Sequence, residues 1–445
     1  MKLKKLLSLL LAGAMAFSVA ACAQNEEGVT NNPEASSAAV SDTADEGTDA
    51  EDGARPTEPT GQLVIGTITD LESDFYDASY NNSATNYKLY DLLHGYGTVV
   101  SDKEGAYVYD PTVVKSHEEV ENEDGTKTYT VTINDGLVWS DGTPITAKDY
   151  VFQLLLESSP EMNQVDGYPS QAGYPLVGYD AYLAGETENF AGVHLVDEMT
   201  YSVTVKAEEL PYHYDITYAS AMPRPMHVIA PGCDVVDSAE GASITGEFTA
   251  DLLLKTINDP ETGYRYNPSV VCGPYLFESY DTASRQGTIV VNPNYAGDYR
   301  GVKPVIEKIV IKTVKSDTMI NELASGSVDL LFQCGGSDTI EGGLDLVDEG
   351  KAEDLTYFRN GYGKIQFDCS QFPTDSQNVR QAIAYCLDRN EFARQYSGGY
   401  AAVVHSYYGL AQWEYQESKT WIDENLETYE KNIDKAKELL EADGW

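Results

Sequence analysis

Positive charge is what this chain has least of: 29 lysines and arginines stand against 72 aspartates and glutamates, a formal net charge of -43 over 445 residues. A surface this acidic repels phosphate and anionic lipid headgroups, which excludes nucleic acid as a partner class and leaves solubility as the direct consequence. Cysteine and histidine are also scarce, six of each. There is no CxxC pair, and Cys233, Cys272, Cys334, Cys369 and Cys386 follow no regular spacing, so a disulfide framework is not expected and a single bridge stays open. His94, His117, His194, His213, His227 and His405 show no ligand spacing, and "HEEVE" at His117 has Glu121 where a zinc motif needs a second histidine. That run reads as a solvated charged edge. "ENEDG" at Glu121–Gly125 lacks the alternating ligands of a calcium loop and reads as a hairpin turn. Missing too are a GxSxG elbow, a P-loop and a Rossmann glycine pattern, so neither a metal nor another cofactor is expected.

What is present begins with a targeting segment. Lys2, Lys4 and Lys5 precede the apolar run "LLSLLLAGAMAFSVA", and "VAAC" follows, ending at Cys22. The run Val19–Cys22 resembles the lipobox of bacterial lipoproteins, which implies a lipid-modified Cys22 at the mature N-terminus. An ordinary secretory peptide cut near Ala21 is the alternative, and both export the chain. Residues 23–60 carry ten acidic residues against one basic, Arg55, with almost nothing apolar. Such a stretch cannot bury enough surface to fold, so it is expected to be a disordered, self-repelling tether.

The body, from residue 61, mixes both element types. "GQLVIGTITDL" reads as a buried strand, and "NYKLYDLLHGYG" as a helix with Leu89, Leu92 and Leu93 on one face. Alternation from Tyr129 to Ile133 predicts a strand before turns at Asn134–Gly136 and Asp141-Gly142. Thr146 with Asp149 three positions on predicts a capping box opening "AKDYVFQLLLE". Strands follow over "YSVTVKA" and along "VVCGPYLFESYDTASRQGTIVVNPNYAGDYRGVKPVIEKIVIKTV". A helix and strand are expected in "SDTMINELASGSVDLLF", a strand in "GKIQFDC", and helices in "NVRQAIAYCLDRNEFARQYSGG", with Asp388 capping the second and Gly398 ending it. The class is α/β with some antiparallel pairing.

Six segments in one order resemble the solute-binding proteins of bacterial peptide-type ABC importers, the family of oligopeptide-, dipeptide- and nickel-binding proteins. They are the W-x-D-G turn and T-A-x-D helix start (Trp139, Asp141, Gly142, Thr146, Ala147, Asp149), "CGPYLFESY", "NPNYAGDYRGVKP", "ELASGSVDLL", "NVRQAIAYCLDRNEF" and "KNIDKAKELLEADGW". The resemblance implies a two-lobe periplasmic-binding-protein-like fold: a first lobe of residues 61–84 and 196–272, an extra subdomain of 85–195, and a second lobe of 273–445. It implies a hinge at Gly273 and Pro274, and ligand contacts from Asn81, Asn82 and Ser83, with Tyr362 and Asp368 from the second lobe. The last helix matches one that the family follows with more of the second lobe. That lobe is therefore expected to be incomplete, with Trp445 poorly covered and a first-lobe strand edge unpaired. The function implied is a non-enzymatic, monomeric receptor on the outer face of the cell membrane or its periplasmic side. It would pass peptides or another small solute to ABC permease subunits. A receptor for nickel or oligosaccharide, and an exported hydrolase whose site converges only in three dimensions, are the other readings.

Overall fold

A computed structural model describes residues 58–76, 80, 83–102, 106–165, 173–357 and 361–445. The described chain opens with strand β1 (Thr60–Thr67) and helix α1 (Ala84–Leu93). Next come β2 (Val99–Ser101), β3 (Tyr107–Tyr109), β4 (Val114–Glu121), β5 (Lys127–Ile133), α2 (Ala147–Ser158), α3 (Tyr179–Leu183), β6 (Val193–Leu195) and β7 (Thr200–Val205). The short helices α4 (Met226–Ile229) and α5 (Ala250–Thr256) flank a hairpin of β8 (Asp234–Ser238) and β9 (Gly241–Thr245). After β10 (Tyr275–Asp281), β11 (Gln286–Val291) and β12 (Ile306–Thr313) come α6 (Met319–Ala324) and β13 (Leu330–Phe332). Five helices follow: α7 (Ser337–Asp348), α8 (Gln377–Cys386), α9 (Arg389–Ser397), α10 (Trp413–Asn425) and α11 (Ile433–Ala442).

Two sheets organise these elements. The first has the order β10-β11-β12-β1-β13, with β1 parallel to both β12 and β13. Its centre is packed on both faces, and there β12 carries the short apolar run Ile309, Val310 and Ile311, all buried. Helix α1 lies on one face, where Leu89 and Leu93 meet Phe75, Ile309 and Ile311. On the other face Met319 of α6 packs with Val314 and Val328. The second sheet, β4-β5-β7-β6, backs the largest core, in which Trp139, Tyr129, Tyr150, Phe152 and Tyr201 are fully buried. Burying one such side chain contributes roughly 1.5–3 kcal/mol, so this module carries much of the fold's stability.

Local signals act as expected. The Asp149 carboxylate accepts the Thr146 N–H at 2.9 Å and the Trp139 Nε1–H at 3.3 Å, tying the W-x-D-G turn to the start of α2. Asp388 caps α9 by accepting the Glu391 N–H, and Gly398 ends it in the left-handed region at φ 62°. "HEEVE" lies on β4, the exposed outer strand of its sheet, and Gly125 turns the β4–β5 hairpin at φ 85°.

Three expectations are corrected. The boundary at Gly273 does not separate two lobes, because β10, β11 and β12 after it share a sheet with β1 before it. The boundary between 195 and 196 cuts the β6–β7 hairpin, whose β7 is an inner strand of the second sheet. "GKIQFDC" forms no strand: its backbone has no ladder partner among the described residues, and Ile365 stays exposed. An apolar run becomes a strand only where another strand meets it. Trp445 is 55% exposed and stacks on the Phe372 ring at 5.5 Å, while β13 pairs only with β1 among the described strands, leaving an open edge.

Candidate functional site

The strands β12, β1 and β13 run parallel, so Thr67, Thr313 and Phe332 end on the same side of the sheet. Crevices beyond the carboxyl ends of parallel strands are where open α/β sheets hold ligands, since loops there diverge and leave space. The loop that leaves β1 walls such a space, an open cleft of about 790 Å³ lined by Asp70, Glu72, Asp74, Tyr80, Ser83 and Arg265 among others.

One face of α1 fixes that loop. Ser83, the N-cap, donates its hydroxyl to the Asp70 carbonyl at 2.8 Å and accepts the Asn86 N–H at 3.4 Å. Thr85 Oγ1 donates to Thr69 O at 2.9 Å. The buried Asn86 does most: its Oδ1 accepts the Glu72 N–H at 2.8 Å, and its Nδ2 donates to Glu72 O at 3.0 Å and Asp74 O at 2.6 Å. Further along, the Tyr90 hydroxyl donates to Asp74 O at 3.3 Å. Loop backbone that would otherwise be buried without partners is thus satisfied by side chains at helical spacing.

Charge in the cleft is arranged in two layers. At the rim, Arg285 from the β10–β11 turn pairs with Asp70 and lies 3.9 Å from Glu72. Deeper, Arg265 Nε faces the buried Asp74 Oδ2 at 3.3 Å, and its Nη1 donates to Asn258 Oδ1 at 3.0 Å. The guanidinium lies 3.8 Å from the Tyr80 ring centre and 5.3 Å from that of Tyr266, a distance range in which cation and ring attract. Behind the loop, Arg224 donates to Tyr76 O at 3.2 Å and pairs with Glu157 at 2.8 Å, a fully enclosed ion pair.

Of the residues expected from sequence, Ser83 lines the cleft, but its hydroxyl is engaged within the protein as cap and clasp. Asn81, Asn82 and Cys22 lie outside the described residues. Tyr362, 37% exposed, and Asp368 do not line the cleft. The Asp368 carboxylate accepts from Ser370 Oγ at 2.6 Å and Ser370 N at 2.9 Å, and these bonds hold it below the usual carboxylate range. It stabilises its own turn. At the expected hinge, Gly273 N donates to Leu93 O at 2.8 Å, Asn292 Nδ2 donates to Gly273 O at 2.8 Å, and Asn292 N donates to Pro274 O at 2.9 Å. These bonds hold Gly273 closely against the end of α1. The five body cysteines are unpaired thiols. Sequence reading missed Arg265, whose signal is an arginine set between two tyrosines, "GYRYNP", in a chain poor in basic residues.

The model of the bacterial extracellular solute-binding proteins, family 5 middle region, matches residues 110–445. The oligopeptide-binding protein OppA of Lactococcus lactis subsp. cremoris (strain SK11) is 26% identical over 335 residues, 72% of this chain and 50% of that protein. The periplasmic oligopeptide-binding protein OppA of Salmonella typhimurium is 32% identical over 240 residues, 53% of this chain and 37% of that protein. The chain therefore spans about half the length, or less, of these curated relatives. Among solved structures, AppA from Bacillus subtilis in complex with a nonapeptide superposes with a TM-score of 0.62 at 17% identity, covering 87% of this chain and 65% of that one. Lactococcal OppA complexed with an endogenous peptide in the closed conformation gives 0.58 at 19% identity, covering 87% and 67%. These likenesses establish the mixed α/β fold of the two-lobe peptide-binding proteins. The chain belongs to the bacterial extracellular solute-binding proteins, family 5.

Proposed function

We propose that this protein is an extracytoplasmic receptor that captures oligopeptides and delivers them to an ABC importer without cleaving them. The observation that carries the reading is the cleft beyond β1, whose polar wall is held in shape by α1 before any ligand arrives. A preformed wall lowers the ordering penalty of binding an extended ligand. The names of the relatives, which bind oligopeptides, agree with it. In this reading Cys22 carries lipid, residues 23–60 tether the body to the outer membrane face, and closure is a population shift driven by ligand contacts made to both lobes. The permease is the partner that the tether keeps within reach.

The test is native mass spectrometry of the purified full-length protein, alone and after incubation with a mixture of short peptides. Bound peptides recovered intact are the expected result. Steady turnover of the peptides would replace the receptor with a hydrolase, and a bound metal ion or oligosaccharide in the purified protein would replace the ligand class.

A further inference from the structure

We propose that Arg265 reads the main chain of the bound ligand, donating from its guanidinium to a peptide carbonyl oxygen. The inference rests on the peptide-receptor reading and adds the residue and the chemical group it recognises.

Arg265 is the one cation lining the cleft among the described residues. Its backbone is held from two directions: its N–H donates to Ile257 O at 3.0 Å, and its carbonyl accepts the Phe75 N–H at 2.7 Å. The side chain is positioned by the Nη1 hydrogen bond to Asn258, the ion pair that sets Nε 3.3 Å from Asp74 Oδ2, and the Tyr80 ring 3.8 Å from the guanidinium. These contacts fix the plane of the group and leave Nη2, with two N–H donors, without an acceptor among the described residues. The side chain is 19% exposed, so the group is largely removed from water yet open to the cleft. A guanidinium that keeps free donors while its orientation is fixed loses little entropy on binding an oxygen.

The charge balance selects which oxygen. Asp74 neutralises Arg265 locally, and Asp70 and Glu72 at the rim outweigh the single charge of Arg285 by one. A full carboxylate approaching Nη2 passes that negative rim, in a molecule of net charge -43. A neutral amide carbonyl meets no such opposition and still receives a charge-assisted hydrogen bond. The outcome is recognition that does not depend on peptide sequence.

The experiment uses the full-length protein and a set of neutral peptides, each carrying one 13C-labelled carbonyl. Peptide affinity and isotope-edited infrared spectra are measured for wild type, R265M and R265K. Losing one charge-assisted bond weakens binding by roughly 10- to 100-fold. The expected result is a loss of that size in R265M for every peptide sequence. One labelled carbonyl should also shift to lower frequency on binding wild type and fail to do so in R265M. R265K keeps the charge beside Asp74, so it serves if R265M does not fold; it should lose affinity at unchanged thermal stability. Wild-type affinity in both variants, or the same labelled-carbonyl shifts in all three proteins, overturns the role of Arg265 alone. Failure of wild type to bind any peptide overturns the receptor reading and this inference together.

Discussion

The His94 Nε2–H donates to the carbonyl oxygen of Phe75 at 2.6 Å, joining the end of α1 to the loop that walls the cleft. A carbonyl can only accept, so Nε2 carries the proton and the ring is the neutral Nε2–H tautomer. Burial, reinforced by the nearby charge of Arg224, pulls the His94 pKa down to about 3 against the hydrogen bond's opposing effect.

That shift has a definite consequence for stability. The folded pKa of about 3 lies below the ordinary value of 6.5, so the unfolded chain binds a proton first as pH falls. The stability associated with neutral His94 is fully present above pH 6.5 and is lost progressively as pH drops from 6.5 towards 3. Between pH 6.5 and 4.5 the loss is about 2 kcal/mol. His94→Gln, which keeps an N–H donor and does not titrate, should lose less stability than wild type over that interval by this amount. Urea unfolding at the two pH values measures it, and equal losses in the two proteins would contradict the assignment. Asp149 works in the opposite direction, since burial raises it to about 6 and its destabilising effect grows as pH rises through that range. Comparing variant with wild type cancels its contribution.

How much of this was legible in sequence depended on whether the cause was local. The Thr146–Asp149 box, the Asp388 cap and Gly398 are decided by residues within one turn, and each appears where the sequence placed it. Strand β12 was legible from its β-branched run Ile309-Val310-Ile311, which is buried at the centre of the sheet. Sheet membership was not, because nothing within "GQLVIGT" states that it pairs in parallel with residues some 245 positions later. The glycine pair Gly342-Gly343 hides α7 from a propensity reading, because each glycine costs a helix about 1 kcal/mol relative to alanine. The cleft was partly legible. Ser83 follows from the loop after the first strand, while Arg265 depends on a fold that brings residue 265 against residues 74 and 80.

Gly273 separates a hinge from a packing position by experiment. A Cβ added there would lie 2.4 Å from Leu92 O and 2.7 Å from Leu93 C, backbone atoms that have nowhere to move. Gly273→Ala should therefore destabilise the protein by about 1–3 kcal/mol, the range for overpacking a tight core. Gly363→Ala, where an added Cβ meets nothing within 4 Å, should change stability by no more than about 0.5 kcal/mol. Chemical denaturation measures both. An unchanged midpoint for Gly273→Ala together with altered peptide release would support the hinge.

The enclosed pair Arg224–Glu157 yields a prediction that joins stability to the cleft. Both side chains are nearly out of water, at 5% and 6% exposure, and Gln153 Nε2 donates to the second oxygen of Glu157. Removing one partner strands the other's charge, so Glu157→Gln and Arg224→Met should each destabilise by about 3–5 kcal/mol. Replacing both by apolar residues, as Arg224→Met with Glu157→Leu, removes the stranded charge and should recover most of that loss. Arg224 also holds the Tyr76 carbonyl at 3.2 Å and lies 4.4 Å from the centre of the Tyr76 ring. The double variant should therefore regain stability without regaining peptide affinity, because the loop after β1 has lost its rear anchor. Denaturation midpoints and peptide titrations on the three variants measure the two effects separately. If the double variant is as unstable as the single ones, the pair contributes through packing and not through charge. If it binds peptide like wild type, Arg224 has no part in shaping the cleft.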